Sequence, residues 1–355
     1  MPTSPAPTAE VSLHAAIEGV RLAGQMCKRL QHSLAHEGVS KADGSPVTVA
    51  DYAAQALIVR TLIEHEADAP IAGEEQAHTL GQAPALLAQV ARALQTASAW
   101  TDATPEQVLA MLGHRACTTD LLPERAWVID PVDGTKGFLA QRHFAVCLAL
   151  IEHGRPVVAA LACPNLAFDI SHEPSTAADE HAVRIDPIGM VIACTANGPV
   201  LHGPLLTHAG EICQAPLHPI PPRPGLPRAQ PIITFSVEAS EGRVRNFTAL
   251  ADEMAHTLGC RPVPLAMDSQ AKYALVARGQ ADVYDRPPRR NSEKAWDHAA
   301  GCLLLQRAGC LVTDALGQPL DWSRITLGQT QGILGARADL HAAVLAARKA
   351  VGGRQ

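Results

Sequence analysis

Asp130 and Asp133 stand three residues apart at the end of the apolar run Trp127-Val128-Ile129, and Gly134 and Thr135 follow them. Carboxylates and backbone carbonyls are hard oxygen donors of the kind that magnesium takes. Gly134 lets the backbone come close to a ligand, and Thr135 adds a hydroxyl beside it. The combination points to metal-assisted chemistry on a phosphate.

Three further acidic segments could join this one: Asp51 in Val49-Ala50-Asp51-Tyr52, then Gly73-Glu74-Glu75, then Trp296-Asp297-His298. Each has an ordinary explanation. Asp51 and Asp297 suit the first turn of a helix. Glu74-Glu75 suits a solvated turn, and Asp-Pro-Val-Asp-Gly is turn chemistry. Their co-occurrence, in this order and with these flanks, favours a shared site.

The elements that must position them are legible from periodicity. Residues 9–36 and 48–65 read as amphipathic helices. Residues 67–73 read as a short strand leading to Glu74, and residues 81–125 as helical excursions. A strand at 126–130 delivers the Asp130 motif at its C-terminal end. Runs at 143–152 and 156–163 read as paired strands joined by a short turn, and 190–195 and 199–202 as a hairpin. Seven prolines within 214–231 exclude a helix or a central strand there and mark an interdomain linker. Beyond it, a strand at 232–237, helix 242–258, strand 262–265, helix 269–278, strand 281–285 and helix 296–308 alternate in the manner of an α/β domain. The expected division is an N-terminal α+β catalytic half, residues 1–228, and a C-terminal α/β substrate half, residues 229–355.

The 355 residues are enough for two substantial cores, and with aromatics at 3% those cores must be filled by aliphatic side chains. The net charge of −6 and the lack of a dense Lys/Arg block argue against a nucleic-acid polymer as partner and for a small phosphorylated ligand. Nine cysteines without a CxxC pair argue against a disulfide framework or a zinc ribbon. The N-terminus has neither the basic start nor the apolar core of a signal peptide, and no run reaches the length of a membrane span. The expectation is a cytoplasmic protein without a membrane partner.

Gly-Glu-Glu, Asp-Pro-Val-Asp-Gly-Thr and Trp-Asp-His-Ala-Ala-Gly resemble the three signatures of the lithium-sensitive, magnesium-dependent phosphatases of the inositol monophosphatase-like superfamily. Asp268-Ser-Gln-Ala-Lys-Tyr273, Thr135-Lys-Gly-Phe138 and Cys163-Pro-Asn-Leu166 resemble one branch of it, the 3′(2′),5′-bisphosphate nucleotidases. The likeness runs from about residue 40 to 335. It implies the layered αβαβα sugar-phosphatase fold with two sheets. It implies two or three Mg²⁺ ions held by Glu74, Asp130, the Val132 carbonyl, Asp133 and Asp297. Asp51 and Thr135 would orient and deprotonate the attacking water, and the backbone at Gly134 and Thr135 would cradle the phosphate. Ser269, Lys272 and Arg286 would hold the nucleotide, with Asp297 also at the substrate. Lys272 could instead be a solvated helix lysine.

The implied reaction removes the 3′-phosphate of adenosine 3′,5′-bisphosphate, with sulfur metabolism as its setting. Some positions depart from the branch. Asp285 stands where a leucine is usual, and the Arg286–Asp297 segment is about two residues short. Ala140-Gln141 replaces Arg-Gly, and residues 239–255 contain no histidine where the branch places one. An inositol (poly)phosphate or other sugar phosphate is therefore the alternative substrate, and a non-catalytic nucleotide sensor is the alternative of another class.

Overall fold

The computed structural model describes residues 7–37, 49–65, 67–98, 100–169, 183–220, 230–235, 241–287, 293–327 and 332–352. The turn expected at 41–46, residues 221–229 of the proline-rich segment and Ser236–Glu238 lie outside them.

The chain begins with helices α1 (Ala9–Glu37) and α2 (Val49–Glu64), then strand β1 (Ile71–Gly73). Helix α3 (Ala77–Gly81) precedes the expected helical excursion, which resolves into α4 (Pro84–Ala97) and α5 (Pro105–Gly113). Helix α5 starts where Thr104 and Gln107 cap each other reciprocally and Pro105 fills the first turn. Strand β2 (Arg125–Asp133) leads into the short helix α6 (Thr135–Leu139). Strands β3 (Ala145–Glu152), β4 (Arg155–Cys163), β5 (Met190–Thr195), β6 (Leu201–Pro204) and β7 (His218–Pro219) complete a seven-stranded sheet in sequential order. Both hairpins expected at 143–163 and 190–202 are present. The proline-rich segment contributes β7, which is tolerated because it is a sheet edge, where a missing N–H costs no ladder bond.

The second sheet comprises β8 (Ile232–Phe235), β9 (Val263–Ala266), β10 (Val283–Arg286), β11 (Cys310–Asp314) and β12 (Ile333–Arg337), in the order β11-β12-β10-β8-β9. Helices α7 (Glu241–Leu258) and α8 (Ala271–Ala277) are the crossovers that keep β9, β8 and β10 parallel. Helix α9 (Ala299–Arg307) leads to the antiparallel pair β11–β12, and α10 (Ala338–Gly352) ends the described chain.

Three apolar clusters define five layers. The first joins α1, α2, α4 and α5 to one face of the large sheet through residues such as Val20, Ile58, Leu94, Trp127 and Ile129. The second lies between the sheets and encloses α8 and α9, with Val128 and Leu161 on one side and Ile232 and Ile333 on the other. The third packs α7 and α10 on the outer face of the small sheet, through Met254, Ile233, Leu334 and Val344. Alternation along a strand decides the face: Ile232 and Ile333 point inward, Ile233 and Leu334 outward. The layers run α/β/α/β/α, as the αβαβα expectation requires.

Two departures from the expected elements bear on function. The strand bearing the acidic motif continues to Asp133 rather than ending at Asp130, and α9 begins at Ala299, one turn later than expected, leaving Asp297 in the preceding turn. Asp285, anomalous beside the resembled branch, takes a two-point ion pair from Arg348 of α10, at 2.5 and 2.8 Å.

Candidate active site

Strand β2 pairs with β3 in regular register up to Asp130↔Cys147, and then slips so that Asp133 faces Ala145. One residue too many lies on β2, which makes a β-bulge. Pro131 gives the chemical reason for a break, since it has no N–H to donate to the ladder. Strict alternation would put residues three apart on opposite faces. The bulge removes that restriction: Ile129 and Val132 both enter the first apolar cluster. Asp130 and Asp133 are thereby able to turn the same way, and Asp133 is the strongest of the charges acting on Asp130.

Strand β1 pairs in parallel with β2, and the pairing continues where the Glu74 N–H donates to the Ile129 carbonyl at 3.2 Å. That register sets Glu74 beside Asp130. Glu75 points the other way and is clasped by α2. The Gln55 amide donates to the Glu75 carbonyl at 2.8 Å and accepts from its N–H at 3.0 Å. A Cβ on Gly73 would lie 2.5 Å from the Gln55 side chain, so the glycine permits the clasp. Helix α2 is buried almost all round by α1, α4, α5 and β2. Asp51 lies in the first turn of α2, as its position suggests, and is buried there.

The second sheet contributes a segment that lies directly on the acidic motif. The Gln270 N–H donates to Asp133 Oδ2, and Arg142 pairs with Asp268 at 3.1 Å. Gly134 has φ +87° and heads α6. Ser269 also has positive φ, +67°, an uncommon conformation for a residue with a side chain. Lys272 is 4% exposed, donates to the Met267 carbonyl at 3.0 Å and exerts its charge on Asp133. The solvated-lysine alternative is therefore wrong, because α8 is enclosed between the two sheets. The Thr135 hydroxyl donates to the Val132 carbonyl at 3.3 Å.

Asp297 accepts from the Lys294 N–H at 2.9 Å, which fixes the turn ahead of α9. Arg286 at the end of β10 makes a two-point pair with Glu293, at 3.1 and 2.8 Å. Glu293 also meets His298 Nε2 at 3.1 Å, and His298 Nδ1 meets the Tyr273 hydroxyl at 2.9 Å. Glu293, Asp297 and His298 lie close enough together to suggest a metal site of their own, but Arg286 and His298 already serve the Glu293 carboxylate.

Electrostatics ties the acidic residues into one cluster. Burial, then Asp133, Glu74, Asp297 and Asp51, push the Asp130 carboxyl far above the usual range. Burial and Asp297 push Asp133 up, while Lys272, the Gln270 N–H and Arg286 pull it down. Glu74 stays open to solvent, yet crowding by protein and the charges of Asp297, Glu75, Asp51 and Asp133 raise its carboxyl as well. Burial and Asp51 raise Glu75 to about 7 against a hydrogen bond from Tyr52. Asp130 Oδ1 is buried without a hydrogen-bond partner among the described residues. So many mutually repelling carboxylates, one with an orphaned oxygen, are what a hard divalent cation relieves. The donor set fits Mg²⁺.

Residues 8–352 match the inositol monophosphatase family. The chain belongs to the inositol monophosphatase family. Within its reach, the 3′(2′),5′-bisphosphate nucleotidase of Schizosaccharomyces pombe is 32% identical over 353 residues, covering 95% of this chain and 94% of that one. The 3′(2′),5′-bisphosphate nucleotidase of Emericella nidulans is 34% identical over 326 residues, covering 88% and 90%. Among solved structures, CysQ from Bacteroides thetaiotaomicron, a bacterial member of the inositol monophosphatase family, aligns with TM-score 0.57 and 19% identity over 92% of this chain and 97% of that one. The likeness confirms the inositol monophosphatase fold in the described layers. Proteins of this family are metal-dependent phosphatases, which agrees with the acidic cluster.

Inspection of the motifs alone missed the supporting residues. Gln55, one turn after Asp51, and Glu293, four residues before Asp297, carry no signal of their own in the sequence. Tyr273 and His298 read as motif flanks, and their contact spans 25 positions. Among the described residues, no helix is long and apolar enough to cross a membrane.

Proposed function

We propose that this protein is a magnesium-dependent phosphoric monoester hydrolase that removes the 3′-phosphate of adenosine 3′,5′-bisphosphate, giving AMP and phosphate. The observation that carries the reading is the docking of the Asp268–Lys272 segment on the Asp133-Gly134 loop, which sets candidate nucleotide-binding groups against the acidic cluster. The similarity to proteins named 3′(2′),5′-bisphosphate nucleotidase supports the same substrate class.

Glu74, Asp130, the Val132 carbonyl, Asp133 and Asp297 would hold two or three Mg²⁺ ions. When bound, they supply positive charge that offsets both the carboxylates and the phosphate ester. Asp51 and Thr135 orient the attacking water, and Asp51, with the cluster's charge around it, takes its proton. The N–H groups at the start of α6, from Gly134 and Thr135, bind phosphate oxygens. Ser269 and Lys272 fix the nucleotide, and Arg286 addresses the phosphate that stays on it. No covalent phosphoenzyme is needed, because no Cys or His serves as nucleophile. The active site belongs to both proposed units, 1–228 and 229–355. All nine cysteines are free thiols, which suits the reducing cytoplasm.

A substrate panel tests the reading. Purified protein with Mg²⁺ is expected to release phosphate from adenosine 3′,5′-bisphosphate faster than from inositol 1-phosphate or inositol 1,4-bisphosphate. Faster turnover of either inositol compound would overturn it.

A further inference from the structure

Arg286 and Glu293 belong to a closed ring of contacts. Arg286 pairs with Glu293, Glu293 meets His298, and His298 meets Tyr273. Tyr273 stacks on Tyr284, with ring centroids 3.9 Å apart. Tyr284 lies two residues before Arg286 on β10, on the same face of that strand. The ring joins β10, α8 and the turn that carries Asp297. A carboxylate can only accept, so His298 Nε2 carries the hydrogen toward Glu293. Burial pushes the Glu293 carboxyl up, but His298 and Arg286 outweigh it and bring it down to about 2.

Glu293 holds the Arg286 guanidinium by accepting two hydrogen bonds, from Nε and from Nη2. A guanidinium has five N–H donors in a rigid fork, and this pair uses two of them, leaving the end-on edge bearing Nη1 facing away from Glu293. The Glu293 side chain is only 5% exposed, so it is a fixture of the ring, while Arg286 at 19% still reaches solvent.

We propose that Glu293 is a positioning residue that sets substrate choice: its two-point hold turns the outer edge of the Arg286 guanidinium to the phosphate that is not cleaved. This rests on the bisphosphate reading above, and it assigns Glu293 a role in recognition rather than in hydrolysis.

The test compares two substrates that share a scissile 3′-phosphate, adenosine 3′,5′-bisphosphate and adenosine 3′-monophosphate, which lacks the 5′-phosphate. In Glu293→Gln the ratio of their kcat/KM values is expected to fall about tenfold or more, the scale of one charge-assisted hydrogen bond, mainly through KM for the bisphosphate. In an Arg286→Ala background, adding Glu293→Gln should leave the ratio where Arg286→Ala set it. Glu293→Asp keeps the charge for folding but shortens its reach, and is expected to lose part of the ratio. Equal losses on both substrates, or additive effects in the double variant, would overturn the proposal and leave the bisphosphate reading standing. Wild-type preference for inositol 1-phosphate would instead overturn that reading, and this proposal with it.

Discussion

The Cβ of Ser269 lies 2.8 Å from where a Cβ on Gly134 would stand. The residues are 135 positions apart and belong to segments leading from different sheets, yet the contact leaves no room for a methyl group. Gly134 is thus required twice, for its φ of +87° and for the approach of Ser269. The Asp133-Gly134 loop and the Ser269-Gln270 segment are built as one unit.

Gly134→Ala is accordingly expected to disturb both. The left-handed backbone alone costs about 1–2 kcal/mol for a residue with a Cβ, and Ser269 must also shift. A lower melting temperature together with a higher Mg²⁺ concentration for half-maximal activity is the expected result. A variant with unchanged metal dependence would show that the contact is incidental.

Asp130→Asn should separate stability from function. The native carboxylate is buried among like charges, so the neutral isostere is expected to raise the melting temperature of the metal-free protein. The same change should cut phosphate release about a hundredfold or more, exceeding typical losses at supporting residues, and abolish stabilisation by Mg²⁺. Thermal melts with and without Mg²⁺ read both effects.

The clasp of Gln55 on Glu75 predicts a loss at one remove. Gln55→Ala frees two buried backbone groups of Glu75 and loosens the strand end that aims Glu74. Activity is expected to fall about ten- to hundredfold, recoverable in part by excess Mg²⁺. A loss indifferent to Mg²⁺ would argue against that route.

The acidic cluster gives the metal-free protein a characteristic pH response. Glu75 is raised to about 7 in the folded state, above its unfolded value, so the native state binds more protons than the unfolded one between these values. Stability then falls as pH rises through that window, and the loss is complete above the folded value. Chelated protein should therefore melt lower at pH 8 than at pH 5.5, and saturating Mg²⁺ should flatten the trend. A melting temperature that rises over this range without metal would contradict the clustering.

Arg348→Ala leaves Asp285 largely buried without its two-point partner. Destabilisation of about 3 kcal/mol is expected. Adding Asp285→Leu, the residue the resembled branch carries there, should restore most of it, since an apolar side chain needs no counter-charge. Chemical denaturation of the two single variants and the double variant measures the coupling.

The sequence by itself determined the cluster's membership. Asp51, Glu74, Asp130, Asp133 and Asp297 announce themselves because they stand in short acidic motifs, and short runs survive in one dimension. Helix and strand periodicity likewise determined most elements as far as α9. The tertiary structure alone decided that the strand bulges after Asp130, that Lys272 is buried, that Arg286 is held by Glu293 and Asp285 by Arg348. It also decided the antiparallel β11–β12 pair and α10, which the alternating pattern did not reveal. The physical reason is one of range. Ligand chemistry and periodicity are local properties, whereas the burial of a charge and the choice of its partner depend on which surfaces the folded layers press together.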